Sequence, residues 1–177
     1  MLATPAPRVV TLASVAHKRG RIGLDDLNYE NRRYSKMGAY SQSKLANPIF
    51  SAELARRSEA AGAPLISIGA HPGIAATNLF DSMVPPIPGA KAVTHAGLRA
   101  IGNDERGGAL SQLYAATMAD VRNGDYLGPN QLGGARGPVR RSKRTWSAQD
   151  EKIAAALWER SVELTGADYA TLRSARR

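Results

Sequence analysis

Two side chains four residues apart carry the chain's clearest chemistry. Tyr40-Ser-Gln-Ser-Lys44 sets a phenol and an ammonium one helical turn apart, so a helix through this segment makes them neighbours on one face. Opposite charge stabilises an ionised group, and an ammonium close to a phenol favours the phenolate. A phenol in that setting can exchange a proton with a substrate oxygen near neutral pH. Ser14 ends an apolar run, where its hydroxyl can hydrogen-bond a substrate carbonyl, although a serine after a strand also serves as a cap or turn. His71-Pro72-Gly73 ends a second apolar run and reads equally as a strand-ending turn or as a ligand-contacting loop. Without cysteine, disulfides, thiolate zinc sites, iron–sulfur clusters and cysteine nucleophiles are excluded. The histidines, His17, His71 and His95, show no i, i+4 pairing. No metal site is therefore expected, and His17 and His71 read as turn or supporting groups.

These groups need elements to hold them. Arg8 to Ser14 is apolar and β-branched, follows Pro5 and Pro7, and reads as a buried strand. From Lys36 to Ala61 the pattern is helical. Tyr40, Lys44, Asn47 and Ser51 share a stripe, Leu45, Ile49, Ala52 and Leu54 supply apolar positions, and Gly62 offers a C-cap. Pro48 falls inside that helix, where it lacks an N–H and its ring opposes the carbonyl of Lys44. An interior proline often kinks a helix, and a kink here would move Lys44 relative to Tyr40. Pro64 to Ala70 reads as a second buried strand. Val84-Pro-Pro-Ile-Pro-Gly89 fits neither regular helix nor central strand and is expected to be a loop or lid. Asp104 to Ala119 reads as a helix with Asp104 and Glu105 at its positive end. Asp125 to Pro129 reads as a very short strand or turn. Gln149 to Thr165 reads as a last helix, with Ser147 as N-cap and Gly166 as stop. Alternating strands and helices predict a parallel sheet with helices packed around it.

Composition sets the bounds. The 177 residues match one domain of roughly 100–200 residues, and 43% hydrophobic with 22% charged residues is ordinary for a globular chain. Twenty-four Lys and Arg against 15 Asp and Glu give a net charge of +9. The densest basic stretch, Arg136 to Arg144, contains Gly137 and Pro138 and has no aromatic before Trp146. It reads as a solvated loop, and no nucleic-acid partner is expected, because a stacking platform would interleave aromatics with the cations. No apolar run approaches the ~18–20 residues of a membrane span, and the N-terminus lacks the pattern of a signal peptide. A soluble cytoplasmic protein is expected.

Taken together, Arg8-Val-Val-Thr-Leu-Ala-Ser14, Tyr40-x-x-x-Lys44 and His71-Pro72-Gly73-Ile74-Ala-Ala-Thr77 resemble the short-chain dehydrogenase/reductase superfamily. Ser-Val-Ala-His17, Ala-Tyr-Ser-Gln-Ser-Lys-Leu-Ala-Asn47, Glu-Leu-Ala-Arg-Arg57, Tyr126-Leu-Gly-Pro129 and Leu157-Trp158-Glu159 narrow the likeness. They look like its retinol-dehydrogenase-like branch, which also resembles protochlorophyllide reductases. A lone Tyr-x-x-x-Lys is a weak signal, whereas the ordered set is specific. The resemblance implies an α/β fold, the C-terminal half of a Rossmann-like doubly wound parallel sheet with flanking helices. It implies hydride transfer between NAD(P)(H), NADP preferred over NAD, and a small-molecule carbonyl or alcohol. It further implies that Ser14 binds the substrate oxygen and that Tyr40 is the general acid or base. Lys44 would favour the ionised phenol and hold the nicotinamide ribose. Pro72, Gly73, Ile74 and Thr77 would line the nicotinamide end of the cofactor. Residues 79–101 would cover the substrate, and the Tyr40 helix would pack across subunits of a homo-oligomer.

The pattern also breaks. The family's Gly-rich turn, which lays a helix N-terminus against the cofactor pyrophosphate, has no counterpart here, and neither does its catalytic Asn. Residues 1–177 are therefore expected to form a single partial NAD(P)-binding domain, with Met1 at an internal position and the nucleotide-binding half absent. Such a chain alone is expected to be unstable and inactive, and the alternative is a non-enzymatic remnant or a dimerising module.

Overall fold

The computed structural model describes residues 3–74, 87, 89–167, 169 and 172. The first apolar run forms strand β1, Arg8–Leu12, and the second forms β2, Ile66–Ala70. They pair in parallel from Arg8 opposite Ile66 to Leu12 opposite Ala70. Parallel neighbours need a crossover, and helix α1, Lys36–Ala60, supplies it. Ser35 caps α1 by accepting from the Gly38 N–H, and Gly62, at φ +61°, turns the chain after its C-terminus.

Helix α1 runs unbroken through Pro48, which is itself buried. The Ser51 hydroxyl donates to the Pro48 carbonyl one turn above the proline. On one side α1 meets the sheet. Ser67 donates from its hydroxyl to the Ser51 carbonyl, and a side chain on Gly69 would collide with Ser51 Oγ and the Tyr126 ring. On its other side lies helix α4, Glu151–Thr165, whose Ala154 and Leu157 pack on Leu45 and Ile49. Trp158 of α4 stacks on Phe50, with ring centroids 5.6 Å apart. Between residues 38 and 55 only Ser43 is exposed, the others being buried or half-buried.

Residues 90–101, part of the expected substrate-covering stretch, form helix α2, Ala90–Ile101, which the sequence reading missed. The rest of that stretch, 79–86 and 88, lies outside the described residues. Helix α3, Glu105–Thr117, begins at Asp104, whose carboxylate accepts from the Gly107 N–H. It lies on the sheet face opposite α1, because strand side chains alternate. Ile68 and Ala70 of β2 pack with Ala115 of α3, while Ser67 and Gly69 face α1. The inward side of α3 is small (Gly108, Ser111, Ala115), which lets its backbone approach the strands closely.

Several details differ from those expectations. Residues Arg136–Arg141 form strand β4, not a solvated loop. Tyr126–Gln131 form β3, longer than expected. The sheet order is β1-β2-β3-β4, with β2 and β3 parallel but β3 and β4 antiparallel, so the sheet is mixed. Pro138 survives in β4 because β4 is an edge strand with a ladder on one side only. Ser147 does not cap α4. Asp150 does, accepting from Lys152 and Ile153.

Candidate active site

The C-terminal ends of β1 and β2 open onto a cleft of about 400 Å³, within the ~300–1,000 Å³ typical of small-molecule sites. Ser14, Tyr40, Lys44, Pro72, Gly73 and Ile74 all line it. The fold thus brings together every expected site residue except Thr77, which lies outside the described residues. In α/β sheets this end of the strands is where ligands bind.

Each group has an anchor. Asn47 Nδ2 donates to the Leu12 carbonyl at 2.7 Å, tying α1 to the end of β1. That tie holds Tyr40 and Lys44, on the same stripe, beside Ser14. Lys44 Nζ sits 5.8 Å from the Tyr40 ring centroid. Ser14 caps a short turn at Val15–Arg19, its Oγ accepting from the Ala16 N–H at 3.2 Å. A hydroxyl keeps its own hydrogen when it accepts, so Ser14 remains able to donate to a substrate oxygen. Capping and substrate contact are compatible roles.

The Pro72–Ile74 loop is pinned on several sides. Gly73 has φ +76°, a conformation that disfavours residues with a Cβ, and a Cβ there would also strike the Ala135 carbonyl. Its N–H donates to His71 Nδ1 at 3.3 Å, and the Ile74 N–H donates to the Ala135 carbonyl at 2.8 Å. From the other side, Asn103 donates from Nδ2 to the Pro72 carbonyl at 3.1 Å and from its backbone N–H to the Ile74 carbonyl at 2.7 Å.

Behind the cleft, His17 and His71 are buried around Tyr126. His17 Nδ1 lies 2.6 Å from the Ser14 carbonyl. A carbonyl only accepts, so Nδ1 of His17 carries the hydrogen. His71 Nδ1 accepts from Gly73, so its hydrogen is on Nε2. Burial pushes His71 down to about 4, with the charge of His17, when protonated, and that of Lys18 adding to it. Burial lowers His17 as well, against the pull of its bond to Ser14. Both rings are therefore neutral at physiological pH, and each holds backbone of the cleft wall.

Glu105, Gly108, Ala109 and Gln112 of α3 also line the cleft. Their i, i+3, i+4, i+7 spacing was legible as one helix face, but nothing local says which face turns toward Tyr40. Among the described residues no group of three or more His, Asp or Glu could hold a metal ion, and no helix is long and apolar enough to cross a membrane.

The cleft suits a nicotinamide nucleotide. It brings the Pro72–Ile74 loop, a cation and a phenol together in one place. No protein-family model matches the chain. It is 29% identical over 178 residues to human "Retinol dehydrogenase 13", covering 97% of this chain and 49% of that protein. It is 33% identical over 171 residues to "Dehydrogenase/reductase SDR family member 13" of Bos taurus, covering 93% of this chain and 41% of that one. Among solved structures, the crystal structure of an uncharacterized protein from Mycobacterium paratuberculosis matches with a TM-score of 0.72 and 41% identity. That match covers 93% of this chain and 52% of that one. The chain spans about half the length of the curated relatives it matches.

Proposed function

For a chain that belongs by sequence to the short-chain dehydrogenase/reductase family, in its retinol-dehydrogenase-like branch, we propose proton exchange in hydride transfer between NAD(P)(H) and a carbonyl or alcohol. The observation that carries this reading is the convergence of Ser14, Tyr40, Lys44 and Pro72–Ile74 on one cleft at the strand ends. When bound, the nicotinamide supplies or accepts the hydride. The chain's own residues do the rest. The Ser14 hydroxyl donates to the substrate oxygen and fixes its direction. Tyr40 gives that oxygen a proton in reduction and takes it back in oxidation. Lys44 places positive charge beside the ring whose oxygen turns negative when the proton leaves, and its ammonium binds ribose hydroxyls. Pro72, Gly73 and Ile74 form the wall for the nicotinamide, and the family resemblance adds Thr77 as a cofactor contact. The substrate is a small molecule, the family resemblance assigns its cover to residues 79–101, and NADP is the preferred cofactor.

The test is twofold. Reduced nicotinamide mononucleotide, titrated into the chain and followed by fluorescence, should bind, with affinity lost in Lys44→Ala. NADPH consumption with a panel of aldehydes and ketones should depend on Tyr40. Absence of nicotinamide binding, or turnover indifferent to Tyr40, would sink the reading.

A further inference from the structure

The segment that leaves the cleft wall after Ile74 returns to it at Asn103. At that return Asn103 grips both ends of the loop, through Nδ2 to the Pro72 carbonyl and through its backbone N–H to the Ile74 carbonyl. Gly102 before it sits so close to the Ile74 carbonyl that any Cβ would strike it. The next residue, Asp104, caps α3, whose Glu105 and Gln112 line the same cleft. One asparagine therefore joins the loop, the end of α2 and the start of α3. Among the described residues, the other groups that hold the loop make single bonds to it. The Ala135 carbonyl accepts a single bond from Ile74, and His71 holds only Gly73.

We propose that Asn103 is a positioning residue: it presets the Pro72–Gly73–Ile74 backbone in the shape that a nicotinamide ring contacts. This rests on the nicotinamide reading of the cleft. The side-chain amide is the part a substitution can remove. The backbone bond to Ile74 stays in every variant, so the loop loses one of its two holds on this side. Asn103→Asp keeps the size and the neighbouring helix start but has no donor for the Pro72 carbonyl at neutral pH. Asn103→Ala removes the group outright.

Two readouts on the full chain separate the outcomes. Hydrogen exchange at the Ile74 amide reports the loop, with the Ile68 amide in buried β2 as reference. The affinity for reduced nicotinamide mononucleotide reports its use. In both variants Ile74 protection should fall about tenfold while Ile68 is unchanged, and the nucleotide should bind about five- to tenfold more weakly. Protection at Ile74 equal to the wild type overturns the proposal. So does a loss shared equally by Ile68, which would make Asn103 a general stabiliser. Unchanged nucleotide affinity in both variants, with the loop loosened, overturns its positioning role. If the unsubstituted chain binds no nucleotide, the nicotinamide reading fails by itself, and the exchange comparison alone decides whether Asn103 sets the loop.

Discussion

Tyr40 and Tyr126 each have a cation near the ring, at similar distances. Lys44 Nζ lies 5.8 Å from the Tyr40 centroid and Arg144 Cζ lies 5.2 Å from that of Tyr126. Their surroundings differ. Tyr40 faces an open cleft with Ser14 and the Pro72–Ile74 loop. Tyr126 is buried among two neutral histidines, and that burial raises its phenol despite the pull of Arg144, while Arg144 is itself lowered by burial. A neighbouring cation is thus not enough to make a proton-exchanging phenol. Desolvation of the phenolate outweighs the attraction when water is excluded, and the group also needs room for a substrate. One pair suits acid–base work and the other suits structure.

The largest test of that contrast is Tyr40→Phe. Carbonyl reduction should drop roughly 10²–10⁴-fold, the range for losing a positioned acid, with the urea midpoint almost unmoved. Gly128→Ala attacks the interior pair instead. Its methyl would run into His71 Nε2, and the chain should lose about 3 kcal/mol of stability by equilibrium unfolding. The third test is pH. Folded His71 titrates near 4, whereas an exposed histidine titrates near 6.5. Between those values the unfolded chain holds the extra proton, so stability is complete above about pH 6.5 and declines as pH falls toward 4. From about pH 7 to about pH 5 this group should remove about 2 kcal/mol. His71→Asn should flatten that part of the profile, and an unchanged slope would contradict the neutral imidazole. The smallest effect is Tyr126→Phe. Its hydroxyl has one long contact, 3.4 Å to His17 Nδ1, so stability should change by about 1 kcal/mol or less and turnover should persist. A collapse in turnover there would erase the distinction between the two tyrosines.

How legible these regions were differs for physical reasons. Helix α1 was readable almost to the residue, because its apolar positions and terminal glycine are local signals. Strands β1 and β2 were readable from their β-branched and apolar runs. Strand β4 was not. Arg136-Gly-Pro-Val-Arg-Arg141 has no strand pattern of its own and is extended because β3 offers it hydrogen bonds, Pro129 lying opposite Val139. Helix α2 hid behind the prolines before it, which ruled out regular structure only up to Gly89. Helix α1 continues through Pro48 and is held on both flanks, by the sheet and by α4.

The candidate site divides along the same line. Residue types and short spacings determined that a phenol and an ammonium share a helix face, that a hydroxyl follows β1 and that a Pro-Gly turn follows β2. Those relations span only a few residues and depend on backbone geometry alone. Tertiary structure decided that the three pieces meet in one cleft, because the parallel register of β1 and β2 brings their C-terminal ends together. It also decided that His17 and His71 are buried and neutral, and that Asn103 returns across the chain to the loop. Burial and long-range hydrogen bonds depend on what lies on the far side of a residue, and that is set only when the sheet and helices have packed.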